Sequence, residues 1–164
     1  MKVVVAILLG GILAGLGDIA YAALHYNIVY QTPPQRIFQS VAAGLIGSEA
    51  AQGGGWNTAL LGLGAHFALT TIMAAVFVIV SLVVPLLRKL WWITGPLYGL
   101  ALMFVMNYLV VPMSQVGGPG KLPEGQFLYG AIFAHVILVG LVIAAAARFT
   151  LGGGGKESAE AVPA

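Results

Sequence analysis

Four stretches of the chain stay apolar for about the twenty residues a helix needs to cross a bilayer. Polar or glycine- and proline-rich segments separate them. They run from about Val3 to His25, Thr58 to Leu87, Trp92 to Val111 and Phe127 to Leu151. The second is long enough to tilt or project. Residues 26–57 carry a different pattern. Pro33-Pro34 breaks the chain, and Pro34 suits a first helical turn. From Gln35 to Ala51, the residues Ile37, Phe38, Val41, Ala42, Leu45 and Ile46 fall on one helical face, and Arg36, Gln39, Ser40 and Ala43 on the other. Gly53-Gly54-Gly55 ends the pattern. This predicts an amphipathic helix that lies in the interface or dips in as a re-entrant segment. Residues 112–126, rich in proline and glycine, read as irregular. Residues 152–164, glycine-rich and then polar, read as a disordered tail. The expected fold is therefore an all-α membrane protein. Residues 1–151 form a single domain, a four-transmembrane-helix bundle with an extra amphipathic or re-entrant helix between helices one and two.

Composition sharpens this. The chain has 164 residues, 60% hydrophobic and only 7% charged, against about 25% charged in soluble domains. No soluble fold of this length hides so much apolar surface, so lipid is its expected solvent and first partner. With no cysteine, disulfides, thiol catalysis and cysteine-based zinc sites are excluded. The basic residues are scattered, which excludes the patch that nucleic-acid binding needs. Ala20-Tyr21-Ala22 fits the cleavage site of a signal peptide. Asp18 and the apolar run continuing to Leu24 favour an uncleaved helix instead. Lys2, Arg88, Lys89, Arg148 and Lys156 fall on one side of the four spans, Arg36 and Lys121 on the other. The richer side is cytoplasmic by the positive-inside rule, which puts both termini there. Trp91 and Trp92 then belong to the inner interface and Trp56 to the outer one.

The polar residues inside the spans carry any chemistry. Gly11, Gly15, Asp18, Ala22 and His25 share one side of the first helix, and Ala59, Gly62, His66, Thr70 and Ala74 one side of the second. Small residues so spaced read as packing faces. Asp18 is different, because a carboxylate deep in a bilayer costs roughly 2.5–3.5 kcal/mol and needs a partner or a proton. At about 1.5 Å per residue, Asp18, His66 and His135 each lie roughly 13 Å below the outer surface, and Asn107 roughly 9 Å. Tyr21 and His25 extend this layer outward. One buried polar site is thus expected, formed by Asp18, Tyr21, His25, His66, Asn107 and His135, with Arg36 and Glu49 of the loop helix as its lid. Arg36 and Glu49 also read simply as solvated surface charges.

Such a site has several readings. Asp–His pairs can hold and pass protons. Two histidines and a carboxylate can bind a transition metal, and His66 with His135 can ligate haem b from both sides. The same groups can also merely hydrogen-bond and fix helix register, at about 0.6 kcal/mol per bond. Proton or small-solute handling without a cofactor is the leading expectation. A haem or metal protein, or a structural subunit of a membrane complex, is the alternative. Four short helices leave little room for a private pathway, which favours a homo-oligomer or a larger membrane complex as partner. No enzyme is expected, because the chain has no nucleophile elbow, His-Glu-x-x-His, phosphate loop or paired carboxylates. Leu63-Gly-Ala-His66-Phe echoes Ile132-Phe-Ala-His135-Val, as parallel repeats would.

Several stretches carry a resemblance. They are Gly17-Asp18-Ile19-Ala20-Tyr21-Ala22, the run from Pro34 and Arg36 through Gly47, and Leu61-Gly62-Leu63-Gly64-Ala65-His66-Phe67. Tyr98-Gly99 through Met106-Asn107 to Val111-Pro112 and then His135 continue them. In order and spacing, from about Gly11 to Arg148, the chain resembles the YagU-like family of small bacterial membrane proteins. The resemblance implies four membrane helices and a bacterial inner membrane. It implies no activity and no catalytic residues. An association with acid tolerance in that family would suit a proton-handling site.

Overall fold

The computed structural model describes residues 1–153. The tail expected to be disordered lies, but for Gly152 and Gly153, outside them. Four helices are long and apolar enough to cross a membrane: α1 (Lys2–Tyr30), α4 (Gly55–Val83), α6 (Trp91–Met113) and α7 (Gln126–Leu151). Between α1 and α4 come α2 (Pro34–Ile46) and α3 (Ser48–Gly53), and the short α5 (Leu86–Lys89) precedes α6. The single loop helix expected over 35–51 is thus two helices. Gly47, at φ 81°, breaks it in a conformation that favours glycine. The second span ends at Val83 rather than Leu87 because Pro85 drives Val84 out of the helical region, to φ −117°, ψ 81°.

The burial pattern is that of a soluble bundle turned inside out. α1 buries Ala6, Gly10, Gly11, Ala14 and Gly15, and exposes Leu8, Leu9, Ile12, Leu13 and Leu16. Small residues face the neighbours and large aliphatic ones face outward. Water does not tolerate so continuous an apolar surface, and the architecture fits a chain crossing a membrane four times.

The small residues set the packing. A methyl on Gly11 would fall 2.5 Å from Thr71 Cα, and one on Gly15 2.7 Å from Thr70 Oγ1, so α1 and α4 run antiparallel in close contact. On its other flank α1 meets α7, where Gly10 faces Ile143 and Ala146 and Gly17 faces Leu138. α6 packs on α7 through Gly95 and Gly99; a methyl on Gly99 would overlap the His135 carbonyl at 2.1 Å. These are small-xxx-small contacts, in which backbones gain dispersion by near touch. The order around the bundle is therefore α4, α1, α7, α6. α4 and α6 hardly touch. Tyr98 crosses the gap, donating from its hydroxyl to the Met73 carbonyl at 2.7 Å with its ring 5.1 Å from that of Phe77. Both termini of the helical domain lie at one end of the bundle, called here the termini end. α2, α3 and residues 114–125 lie at the other, the loop end.

α2 crosses the start of α4 with Gly62 against the Phe38 carbonyl. The sequence puts Gln39 and Ala43 on the outward polar face. The structure buries them with Ala42 and exposes Leu45 and Ile46. Gln39 is 1% exposed, and its amide donates to Gly55 O at 2.9 Å and Thr58 Oγ1 at 3.3 Å. Part of the polar face is thus turned onto the protein, where the Gln39 amide finds acceptors, while Arg36 and Ser40 stay exposed.

Two stretches are wound as π-helix, Met106–Val110 in α6 and Ala134–Leu141 in α7. π winding sends each N–H one residue further back and so frees a carbonyl at its start. In both, the second residue takes up the carbonyl four positions earlier: Asn107 Nδ2 donates to Met103 O at 2.8 Å, and His135 Nδ1 to Ala131 O at 2.9 Å. At the termini end Arg88, 8% exposed, donates from Nε to Ser81 O and from Nη1 to Leu151 O and Gly152 O at 3.2–3.3 Å. One guanidinium closes the C-termini of α4 and α7, whose partial negative charge favours a cation.

Candidate functional site

The close approach of α1 and α4 at Gly11 and Gly15 sets the site. It brings the buried His66 ring onto α1, with Nε2 2.9 Å from the Gly15 carbonyl and 3.8 Å from Asp18 Oδ2. A carbonyl oxygen can only accept, so Nε2 carries the hydrogen. The same reasoning puts the hydrogen of His135 on Nδ1, against Ala131 O. In their neutral forms His66 Nδ1 and His135 Nε2 are therefore bare acceptors. Asp18 receives no hydrogen bond from any described residue; His66 is its nearest partner. All three groups line one cavity of about 600 Å³. The cluster is thus built of acceptors and lacks donors, an arrangement that favours taking up a proton or a positively charged group.

The cavity lies in the gap between α4 and α6. Its walls are largely aliphatic, Leu69, Ile72 and Met73 on one side and Met106, Val110 and Val111 on the other. Ile72 and Val111 are exposed at its rim. α2 roofs it with Ser40, Val41, Gly44 and Leu45, and the Gln115 N–H donates to the Gly44 carbonyl at 2.9 Å, closing the roof against the loop that follows α6.

Asp18 also lines a second cavity, of about 380 Å³, between α1 and the start of α7 towards the loop end. Tyr21, His25, Tyr26, Glu124 and Phe127 line it too. The Tyr21 and His25 rings stack at 5.4 Å, and Tyr26 lies 6.0 Å from Phe127. Asp18 is thus a wall shared by two chambers.

The expected site residues therefore divide. Asp18, His66 and His135 gather in the central cavity, and Tyr21 and His25 join Asp18 in the second one. Asn107 does not line either; its amide serves Met103 on its own helix. Arg36 and Glu49 do not cover the site. Arg36 donates to Gln52 O at 3.1 Å and Gln39 Oε1 at 3.2 Å, tying α2 to the end of α3. Glu49 is exposed beside a shallow hollow over residues 46–54. The roof is made by the α2 residues one and two turns beyond Arg36. Sequence reasoning missed Glu124 and Tyr26. Glu124 gives no local signal, since only the folding of its loop against α1 brings it there. Among the described residues no three His, Asp or Glu side chains gather within reach of one metal ion.

Compared with known proteins, the chain matches no family model, no curated protein and no solved structure.

Proposed function

We propose that the chain is a multi-pass protein of a bacterial inner membrane, with both termini cytoplasmic, and that its Asp18–His66–His135 cluster takes up and releases protons, or handles a small solute, at mid-membrane. The inside-out burial supports the membrane. The bias of lysine and arginine towards the termini end supports the orientation, and the resemblance to YagU-like proteins supports the compartment. One observation carries the chemistry: a carboxylate and two imidazoles face a common cavity with every N–H already spent on a backbone carbonyl. Added protons are the simplest way to satisfy such a cluster. The second cavity reaches from Asp18 towards the loop end, which is the outer side in this orientation. It gives the cluster a route of exchange with the periplasmic side.

The test is infrared difference spectroscopy of the protein in lipid nanodiscs, titrated from mildly alkaline to mildly acidic buffer. A carboxyl stretch should grow in on acidification and be missing in Asp18→Asn. His66→Gln and His135→Gln should each move its midpoint. A wild-type spectrum that Asp18→Asn leaves unchanged refutes the reading.

A further inference from the structure

The central cavity contains more donors than its imidazoles, and all are turned away from it. The Ser40 hydroxyl donates to Ile37 O at 2.7 Å, Thr70 to Phe67 O at 3.2 Å and Ser114 to Val111 O at 2.7 Å. With His66 and His135, all five hydroxyl or imidazole donors that line the chamber point their hydrogens at backbone carbonyls. What remains for a guest is a carboxylate, two imidazole lone pairs and hydroxyl oxygens. A guest must bring the hydrogens.

The charges agree. Asp18 and Glu124 line the two chambers, and among the described residues no lysine or arginine lines either. The second chamber adds the faces of Tyr21, Tyr26 and Phe127, the aromatic environment that attracts cations.

The walls select further. Apart from the polar cluster the central chamber is aliphatic, and the exposed Ile72 and Val111 bring its rim to the face between α4 and α6. A hydrated inorganic ion would be poorly solvated there. Beyond Met73, towards the termini end, the gap between α4 and α6 holds a separate groove of about 300 Å³, lined by residues that include Val76, Phe77, Val80, Thr94, Leu97 and Tyr98. Tyr98, which lines the groove, is bonded to the carbonyl of Met73, which lines the chamber, so its ring stands between the two. A polar-headed chamber of this size falls in the roughly 300–1,000 Å³ range of small-molecule sites, and the groove suits an unbranched hydrocarbon chain.

We infer that the central cavity binds a lipophilic organic ammonium ion, entering from the bilayer between α4 and α6. Its N–H groups meet Asp18, within the acceptor-rich wall that His66 and His135 help to form, and its apolar tail passes the Tyr98 ring along the lipid face into the groove. This rests on the membrane-embedded, proton-binding reading above. Ammonium ion and proton compete for one carboxylate, so each expels the other. The titratable groups facing Asp18 are His66 from α4 and His135 from α7, and in the second chamber Tyr21, His25 and Tyr26 from α1 and Glu124 from the loop before α7. α2 contributes only the Ser40 hydroxyl to the chamber.

Dodecylammonium added to the nanodisc-embedded protein tests this, read on the Asp18 carboxyl band. Competition is reciprocal. At a hundredfold excess over Kd the band's midpoint should move down by about two pH units. Dodecyltrimethylammonium, which lacks N–H groups, should bind at least tenfold more weakly, and dodecanol should not move the midpoint. Leu97→Trp, which fills the groove, should weaken dodecylammonium at least tenfold and leave the amine-free midpoint where it was. No shift with dodecylammonium, an equal shift with dodecanol, or an unaltered affinity in Leu97→Trp overturns the inference while leaving the proton reading standing. The chain has no cysteine, so Leu97→Cys gives a single crosslinking site. Efficient Leu97→Cys dimers in nanodiscs would place a second copy in the gap and likewise overturn it.

Discussion

Gly62 and Gly64 sit two positions apart on α4 and give a paired experiment on the roof of the cavity. A methyl on Gly64 meets nothing within 4 Å. A methyl on Gly62 would lie 1.9 Å from the Phe38 carbonyl oxygen and 2.9 Å from Ala42 N, both backbone atoms of α2 that no rotamer can move. Ordinary contact begins near 3.4 Å, so Gly62→Ala makes α2 retreat by roughly 1.5 Å, the difference between the two distances. A retreat of that size carries the Gln39 amide, now 2.9 Å from Gly55 O, out of hydrogen-bonding range. Overpacking costs about 1–3 kcal/mol, and a lost hydrogen bond about 0.5–1.5 kcal/mol. Together these cost about 1.5–4.5 kcal/mol, offset by at most about 1 kcal/mol of helix propensity, so Gly62→Ala should be net destabilising. Gly64→Ala should be neutral or gain up to about 1 kcal/mol from helix propensity. The assay is reversible unfolding of the micellar protein in rising SDS, followed by tryptophan fluorescence in a Trp91→Phe, Trp92→Phe background that leaves Trp56, one residue into α4, as the reporter. If the two variants unfold at the same denaturant level, α2 is not clamped on α4 and the roof of the cavity is not as described.

Three more expectations follow from particular contacts. Arg88→Met keeps bulk but strips the donor from the carbonyls that end α4 and α7; it should cost about 2–3 kcal/mol in the same unfolding assay, with Arg88→Lys recovering part. Tyr98→Phe removes the hydrogen bond that crosses from α6 to α4, and should cost about 1 kcal/mol and lengthen the α4–α6 distance between spin labels at Val80 and Leu97. Asn107→Leu should leave the Asp18 carboxyl band unmoved, since its amide serves Met103 and not the cavity. A moved band would return Asn107 to the site.

The helices were legible because lipid solvation makes hydrophobic length nearly decisive, and the small-residue faces of α1 and α4 because helical spacing alone puts Gly11, Gly15, Gly62 and His66 on contacting sides. Depth along each helix was enough to bring Asp18, His66 and His135 to one layer. Depth says nothing of azimuth, however, and that is why Asn107, at similar depth, was expected in the site and lies outside it. Gln39 was misplaced because amphipathic reasoning sends amides outward, whereas beside a lipid-facing surface an amide with backbone acceptors stays in. Arg88 reads from sequence as a topological charge; that it also caps two helices depends on residues as distant as Leu151. The gap between α4 and α6 leaves no trace in the sequence, since it is a contact that does not form.

The π-wound turns of α7 bear on how the chain can change length. Loops such as 114–125 can gain or lose residues with little effect on what they join. α7 cannot, because its first half offers His135 to the cavity while its second half seats Ile143, Ala144 and Ala147 in the core. The slack winding of residues 134–141 keeps those two faces in phase. Inserting one further residue there, beyond what the slack winding already absorbs, would swing one half about 100° around the axis relative to the other. The bundle could still assemble on its alanine face, but the histidine would turn away from the carboxylate. Single-residue insertions scanned along residues 134–141 should therefore separate assembly from chemistry, and no substitution in the cavity itself would do so.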